Sequence, residues 1–488
     1  MYRAIFAFNG GRWRIPACVC TVLICVLTLS ASPHCFAIDL VSTNSAGVQG
    51  TPVNFPQTSA VSNDGDTVLF TYRAPEFGDG ATGPFFVKTM STGNLVPVYR
   101  RPDGVPGLVG GSVSFAYMDE PPTRVVFTSS TSDLVPNSAQ SGDRIFTTMI
   151  GSFQYFPARG LPDGPGLRFD DFTVNSRLDR VFLQLGRVTE VSATLPTTPI
   201  IHSLRTDGVP SQYGGSINAS SQSPSISASE DGCILTWLGA QLDLDPGVPP
   251  QDSQIYIKNT ETGVIRQVRA DNGDDLGLAD FPHVSEDGSF VVFRVGTYFT
   301  PICGRFSIVG IDTRTWQREC ISQNDAGVSS DGSSHYIGVS SDGNRVVFDG
   351  LSTTLGPYPL NMVRIQSGVY VRDRRLRRTV RVDVNAAGVP SNGNGNGGAF
   401  DTQGHKSLRY PSISKNGRWV VFASNGSNLV PNDSNGHGND VFRVDLNQFF
   451  SGPVAPLVPV PALSLWAGLL LILTVMGSSV WLKRGPAL

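Results

Sequence analysis

The sequence predicts an all-β protein, a β-propeller of seven blades, on three observations. One turn-and-strand signature recurs at a nearly fixed step, each copy carries a second hairpin, and turn formers are frequent while charge is sparse. The 488 residues include 53 Gly and 34 Pro and are only 16% charged. That Gly and Pro share is below the roughly 25–30% of low-complexity chains. It still breaks the chain too often for a helical bundle or coiled coil. A formal net charge of −3 offers no basic field to recruit nucleic acid. Length alone would allow about three domains, but a repeat overrides that division.

The signature is a polar turn with Asp-Gly or Asn-Gly, followed by β-branched residues that end in an aromatic. It reads Ser62-Asn63-Asp64-Gly65 to Phe70, Ser229-Glu230-Asp231-Gly232 to Trp237, and Ser285-Glu286-Asp287-Gly288 to Phe293. It returns as Ser340-Ser341-Asp342-Gly343 to Phe348 and Ser414-Lys415-Asn416-Gly417 to Phe422. Degenerate copies end in Phe127 and Phe182. Successive aromatics stand 57, 55, 55, 56, 55 and 74 residues apart, and a Gly/Asn-rich insertion, Pro390 to Gly398, accounts for the last step. Such turns between apolar alternations are the strongest short-range hairpin signal. A second hairpin follows in each unit, as in Ile255–Lys258 and Ile265–Val268 around Glu261-Thr262-Gly263. Two hairpins per period make a four-stranded blade.

A third motif fixes how the ring closes. Asn324-Asp325-Ala326-Gly327-Val328 and Asn385-Ala386-Ala387-Gly388-Val389 follow the last strand of a unit, and Arg101–Pro106 and Asp207–Pro210 are similar. Asn44-Ser45-Ala46-Gly47-Val48 carries the same pattern near the N-terminus, while the seventh unit stops at Val441–Asp445. The N-terminal strand is therefore expected to complete the last blade, which covers a sheet edge. Six blades with one unit outside the ring is the alternative. The Ser-x-Asp-Gly and Val-Val-Phe signature over residues 38–447 resembles the WD40-like propeller repeats of TolB-like proteins. The resemblance implies a fold, and one propeller fold hosts many functions.

Both ends read as addresses. Arg3, Arg12 and Arg14 precede an apolar stretch from Ala17 to Leu29, and Cys35-Phe36-Ala37 places small residues at −3 and −1, so a secretory leader over 1–37 cut after Ala37 is expected. An uncleaved N-terminal anchor is the rival. The propeller would occupy 38–449 and a Pro-rich spacer 450–464, ahead of an apolar span over 465–482 and a basic tail over 483–488 with Lys483 and Arg484. Such a span can serve as a transmembrane helix with its cations cytoplasmic. Val460, Pro461, Ala462, Leu463, Ser464 and Trp466 resemble the IPTL-type C-terminal sorting signal of Gram-negative bacteria, with Val460 in place of Ile and Ala462 in place of Thr. The resemblance implies removal of the tail by an exosortase-like transpeptidase. A permanent single-span anchor is the other reading. Leader and tail hold five of the 37 basic residues and none of the 40 acids, which leaves the exported part at −8.

Three cysteines follow the leader: Cys233, Cys303 and Cys320. In an oxidising compartment Cys303 and Cys320, flanking a hairpin, are expected to pair, leaving Cys233 as a buried strand residue. In the loop 431–440, Asp433, Asn435 and Asp440 offer oxygens that could converge on calcium, with Gly436 and Gly438 supplying the turn; an Asx-turn loop is the alternative. The recurrent Asp64, Asp231, Asp287 and Asp342 read as structural turn residues. His202, His283, His335, His405 and His437 are scattered, and neither a His-Glu-x-x-His nor a Gly-x-Ser-x-Gly motif occurs. The run Arg372–Arg378 reads as a solvated hairpin turn paired with acids. The expectation is an exported, envelope-associated module that binds proteins or surface glycans, with no cofactor unless calcium binds. Its processing partners would be signal peptidase and the sorting enzyme. A lyase or hydrolase with its site at the channel mouth is the alternative.

Overall fold

In the computed structural model the described strands form seven four-stranded antiparallel sheets, the architecture of a β-propeller. The structure describes residues 36–451 apart from 53–55, 79–84, 99–112, 130–133, 135–143, 153–155, 158–170, 176–177, 179, 185–187, 193–199, 202–225, 240–243, 245–253, 270–278, 297–302, 357–366 and 394–410. The leader, the sorting motif, the apolar span and the Gly/Asn-rich part of the insertion lie outside the described residues. No helix among the described residues is long and apolar enough to cross a membrane. The chain divides into two units, Met1–Gln448 and Phe449–Leu488, and the seven sheets belong to the first.

The first sheet is β2 (Gln57–Val61), β3 (Thr67–Thr71), β4 (Phe85–Thr89) and β5 (Leu95–Pro97). The second is β6 (Val113–Met118), β7 (Arg124–Ser129), β8 (Arg144–Met149) and β9 (Phe156–Pro157). The third is β10 (Asp171–Val174), β11 (Arg180–Gln184), β12 (Val188–Ser192) and β13 (Ile200–Ile201). The fourth is β14 (Ile226–Ala228), β15 (Ile234–Gly239), β16 (Gln254–Asn259) and β17 (Ile265–Gln267). The fifth is β18 (Asp280–Val284), β19 (Phe290–Arg294), β20 (Ile308–Asp312) and β21 (Arg318–Cys320). The sixth is β22 (Ser334–Val339), β23 (Arg345–Leu351), β24 (Ser367–Asp373) and β25 (Arg378–Arg381). The seventh joins both ends of the domain: β26 (Ser412–Ile413), β27 (Trp419–Ser424), β28 (Asp440–Asp445) and β1 (Ile38–Leu40).

The second strand of each sheet is apolar on both faces because both are covered. Val346, Val347 and Phe348 are all fully buried, as are Val420, Val421 and Phe422. The periodic aromatic faces a third-strand aromatic in five sheets: Phe70 with Phe86, Phe127 with Phe146, Trp237 with Tyr256, Phe348 with Tyr370 and Phe422 with Phe442, at 5.8–6.2 Å between ring centroids. Such cross-strand pairs contribute about 0.2–1 kcal/mol each beyond alanine.

The recurrent turn has one internal wiring. In the copy at 285–290, the buried Ser285 hydroxyl donates to Asp287 Oδ1 (2.6 Å) and accepts from the Phe290 N–H (3.0 Å), while Gly288 N–H bonds the Ser285 carbonyl (2.9 Å). Ser62, Ser229, Ser340 and Ser414 repeat these contacts. In the degenerate copies the oxygen comes from a longer side chain: Asp119 Oδ1 accepts from the Arg124 N–H (2.7 Å) and Asn175 Oδ1 from the Arg180 N–H (3.0 Å). The turn glycine carries a second duty. A Cβ on Gly343 would stand 2.7 Å from Phe290 Cβ, and one on Gly65 would meet the Trp419 ring at 2.3 Å. Each turn thus seats a residue of the preceding sheet over a bare glycine held at positive φ.

Two glycines separate backbone strain from packing. Gly47, at φ +78°, has open space where a Cβ would be, whereas Gly343, at φ +65°, does not. Gly47→Ala should cost about 1 kcal/mol for the backbone alone, and Gly343→Ala about 3 kcal/mol or more through overpacking. Urea unfolding of the two variants checks the difference; equal losses would refute the packing role.

Candidate functional site

Antiparallel pairing puts the turns between first and second strands and between third and fourth strands at one end of every sheet. The loops between second and third strands and the exits to the next sheet lie at the other. The two faces of the ring therefore differ.

On the turn face the polar groups are consumed by the scaffold. Asn175 Nδ2 donates to the Glu230 carbonyl (3.5 Å), Glu230 N–H to the Glu286 carbonyl (2.8 Å), Asp287 N–H to the Ser341 carbonyl (3.0 Å) and Ser341 N–H to the Lys415 carbonyl (2.7 Å). Asn416 N–H continues to Asn63 Oδ1 (2.8 Å), and Asn63 N–H to Glu120 Oε2 (3.0 Å). These bonds link all seven sheets in turn. Lys415 Nζ lies 2.9 Å from Glu286 Oε1, whose other oxygen accepts from the Ser341 hydroxyl (2.6 Å). Burial pushes the Glu120 carboxyl above its usual range.

The loop face holds the seam where the domain's ends meet. Asp440, fully buried at the start of β28, accepts from the Ser42 hydroxyl (2.6 Å) and the Tyr72 hydroxyl (3.1 Å) on Oδ1 and from Gln49 Nε2 (2.8 Å) on Oδ2. One carboxyl thus ties the N-terminal segment and the first sheet to the seventh. Burial without a cationic partner pushes it up to about 6. Beside the seam, buried Lys88 on β4 donates to the carbonyls of Thr43 (2.9 Å), Asn44 (3.1 Å) and Gly93 (2.8 Å), and burial lowers its ammonium value. Arg372 on β24 reaches the Asn324 carbonyl of the exit turn before the sixth sheet (3.4 Å).

The three residues considered for calcium come together at this seam; Asp433 Oδ1 and both Asp440 oxygens are engaged, while the buried Asn435 Oδ1 accepts no hydrogen bond among the described residues. The Gln49 amide donates to Asp433 Oδ1 (3.1 Å) as well as to Asp440, so an N–H group stands between the two carboxylates. Asp433 Oδ1 also accepts from the backbone of Asn435 (3.1 Å) and Gly436 (3.0 Å), an Asx-turn, and Asn435 Nδ2 bonds the Gly50 carbonyl (2.8 Å). Among the described residues no group of three or more His, Cys, Asp and Glu is placed to hold a metal.

Cys303 and Cys320 are disulfide-bonded with Cα atoms 5.3 Å apart. Cys233 differs from expectation. It is half-buried in the turn before β15, not within the strand, because Ser229 and Asp231 draw its segment into the pinned turn. Desolvation and the neighbouring Asp231 and Glu261 carboxylates push its thiol up to about 12, so it is a poor nucleophile. His283 is half-buried on β18, and desolvation pulls its imidazole down to about 4. Two of the five arginines in the run meet acids, Arg374 with Glu319 of the neighbouring sheet and Arg375 with Asp342 (3.1 Å), while Arg372 is buried on neutral oxygen acceptors.

Two features escaped the sequence reading. Gln49 gave no motif, and its role appears only when residues nearly four hundred positions apart meet. His335 and Asp349 stand directly opposite on β22 and β23; aligning the repeat strand by strand would have paired them.

No family model matches the chain, and neither does any curated protein. Solved structures similar to it include the putative TolB from Agrobacterium tumefaciens, at 12% identity over 72% of this chain and 94% of that one, with a TM-score of 0.35. An oligogalacturonate lyase from Vibrio parahaemolyticus is 11% identical over 84% of this chain and 97% of its own, with a TM-score of 0.47. The β-propeller domain of Cps50 (Swd1) from Myceliophteria thermophila is 9% identical over 81% and 99%, with a TM-score of 0.41. Likeness this remote carries neither activity nor partner; the architecture rests on the strand order of the chain itself.

The seam has a pH signature. Asp440 binds its proton more tightly in the folded chain than unfolded, where its value is near 3.8. The folded state therefore gains at low pH and loses that contribution as pH rises through about 6, a change of about 2–3 kcal/mol by linkage. Denaturant melts of wild type and Asp440→Asn at about pH 4 and pH 7 should show this loss only in the wild type; parallel pH profiles would refute the assignment.

Proposed function

We propose that the chain is an exported, envelope-associated module, a seven-bladed ring whose N-terminal strand completes the last blade and whose loop face binds proteins or surface glycans. The observation that carries the reading is the division between the faces. The turn face spends its polar groups on sheet-to-sheet bonds, while the loop face carries the long connections and the exit turns. Loops on a rigid scaffold are where recognition concentrates. Seven blades are supported by the bonds that run through every sheet in turn and by the seam, where Ser412 Oγ on β26 reaches the Ser59 carbonyl on β2 (3.2 Å). The reading needs no cofactor and no nucleic acid.

In this reading signal peptidase cuts after Ala37, the span over 465–482 anchors the chain, and an exosortase-like enzyme acts at Val460–Trp466. The hydrogen bonds between Ala37 and the Gln448 side chain (2.5 and 2.8 Å) hold the two ends of the domain together at one edge. Leader and tail thus leave from neighbouring points. A second reading, a lyase or hydrolase working at the channel mouth, is favoured by the His335–Asp349 pair on a first and a second strand. It predicts an activity that His335→Ala abolishes without lowering Tm.

Intact mass and cell fractionation of protein from its native host test the address. The expected product begins at Ile38 and ends near Ser464, in the outer-membrane or extracellular fraction. A mass retaining Leu488 in the inner-membrane fraction would overturn the sorting step.

A further inference from the structure

The hairpins between third and fourth strands close with one kind of turn. In the fourth sheet Asn259 Oδ1 accepts from the N–H groups of Glu261 (3.0 Å) and Thr262 (2.9 Å). In the fifth Asp312 Oδ1 accepts from those of Arg314 (3.0 Å) and Thr315 (2.8 Å), and in the sixth Asp373 Oδ1 accepts from that of Leu376 (3.0 Å). The next residue stands at positive φ in each: Gly263 at +74°, Trp316 at +59° and Arg377 at +53°. Gly93, at +71°, holds this place in the first sheet. Glycine takes that conformation without a steric penalty, and an L side chain does not. The turn therefore favours glycine, and its internal bonding explains neither the tryptophan nor the arginine.

The two exceptional turns are neighbours at the outer rim of the turn face, and both carry cations. Arg314 is exposed in one. Arg375 and Arg377 are exposed at the tip of the other, with Leu376, itself 43% exposed, between them. Arg266, also exposed, lies over the Trp316 ring at 4.7 Å. The nearby acids are drawn into the scaffold. Asp312 and Asp373 hold turn N–H groups, Asp373 also meets Arg345 (2.9 Å), Asp325 accepts from the Thr379 N–H (2.7 Å) and Glu319 meets Arg374. The Arg375 side chain meets Asp342 while 73% exposed, an ion pair that solvent weakens. Arg377 meets no acid among the described residues. The corresponding tips of the first and second sheets, residues 91–93 and 150–152, carry no charged side chain.

The ends of the domain are held beside this rim. β28 runs to Asp445 at the turn face, and the chain leaves the first unit at Gln448, whose side chain bonds Ala37. Phe36 packs on Gly388, in the exit turn of the sixth sheet, 3.2 Å from where a Cβ would stand. Residues 449–464, sixteen in number, separate Gln448 from the apolar stretch over 465–482, at most about 55 Å of extended chain. A tether that short raises the effective concentration of a membrane surface at the rim. The exported part is acidic as a whole, so the cationic rim is a local feature.

We propose that the rim formed by these hairpins of the fifth and sixth sheets rests on an anionic phospholipid surface, that of the bilayer bearing the span. Arg314, Arg375 and Arg377 meet lipid phosphates, and Leu376 enters the headgroup layer. This rests on the anchored-module reading and adds its orientation. The turn face lies against the membrane, and the loop face points away, toward binding partners.

The test follows amide hydrogen exchange by mass spectrometry on the full chain in nanodiscs, either of phosphatidylcholine alone or with about 30% phosphatidylglycerol. Peptides covering 313–317 and 374–378 should exchange at least about threefold more slowly in the anionic discs, and about 0.5 M salt should remove the difference. Peptides covering 351–356, on the loop face, should exchange alike in both. Arg375→Glu combined with Arg377→Glu should abolish the protection. Arg377→Gly, the residue of the equivalent turns, should weaken it while melting no lower than the wild type. Equal exchange in the two discs would overturn the proposal, including the case in which dissolved inorganic phosphate or heparin protects the same peptides instead. Protection undiminished in the double variant would also overturn it. A chain that does not stay with the discs would overturn the anchored reading and this docking together, whereas equal exchange in a retained chain overturns the docking alone.

Discussion

The ring depends on one small hydrogen-bonding device, a buried side-chain oxygen that pins the turn between the first two strands of each sheet. In Ser285 and its four equivalents the hydroxyl both accepts a strand N–H and donates to the following Asp or Asn, so a group that would cost free energy if buried unpaired is satisfied twice. Because the pinned turn leaves its glycine bare, the neighbouring sheet can set a side chain against it. Local turn chemistry and sheet-to-sheet spacing are thus one constraint. A longer side chain at Asp119 or Asn175 meets it with the same N–H, which is why the degenerate copies keep their place in the ring.

A ring built from repeats has a weak point where its ends meet. Here several interactions converge on it. β1 pairs with β28, Asp39 forms a forked ion pair with Arg443, and Asp440 collects donors from the N-terminal segment and the first sheet. Lys88 then fixes the N-terminal exit turn through carbonyl oxygens rather than a carboxylate. A buried ammonium with good acceptors is tolerated, and it fixes the geometry of the turn it holds. The disulfide at Cys303 and Cys320, closing a span of 17 residues, adds to the fifth sheet a contribution of roughly 3 kcal/mol in the chain-entropy model.

The functional consequence is asymmetry. The turn face carries a run of hydrogen bonds from the third sheet round to the second, with Lys415 and Glu286 among its members. The exit turns that leave the other face keep Val48, Val328 and Val389 about half exposed. The proposed binding role draws on that contrast, and the His335–Asp349 pair is the feature around which the catalytic alternative would be built.

The sequence by itself determined the repeat, the hairpin content, the periodic aromatic core and the completion of the last sheet by the N-terminal strand. These follow from local rules of turn residues, alternation and spacing, which act within one unit and so are written contiguously. It also suggested the Cys303–Cys320 pair, because a single hairpin brings the two close. Only the tertiary structure decided what lies between units. The Gln49 amide between Asp433 and Asp440, the carbonyl cage around Lys88 and the Phe36 ring on Gly388 join residues from opposite ends or different sheets, and no local pattern encodes such meetings. Cys233 shows the same limit at short range. A β-hydrophobe pattern placed it in a strand, while the serine and aspartate before it held it in the turn.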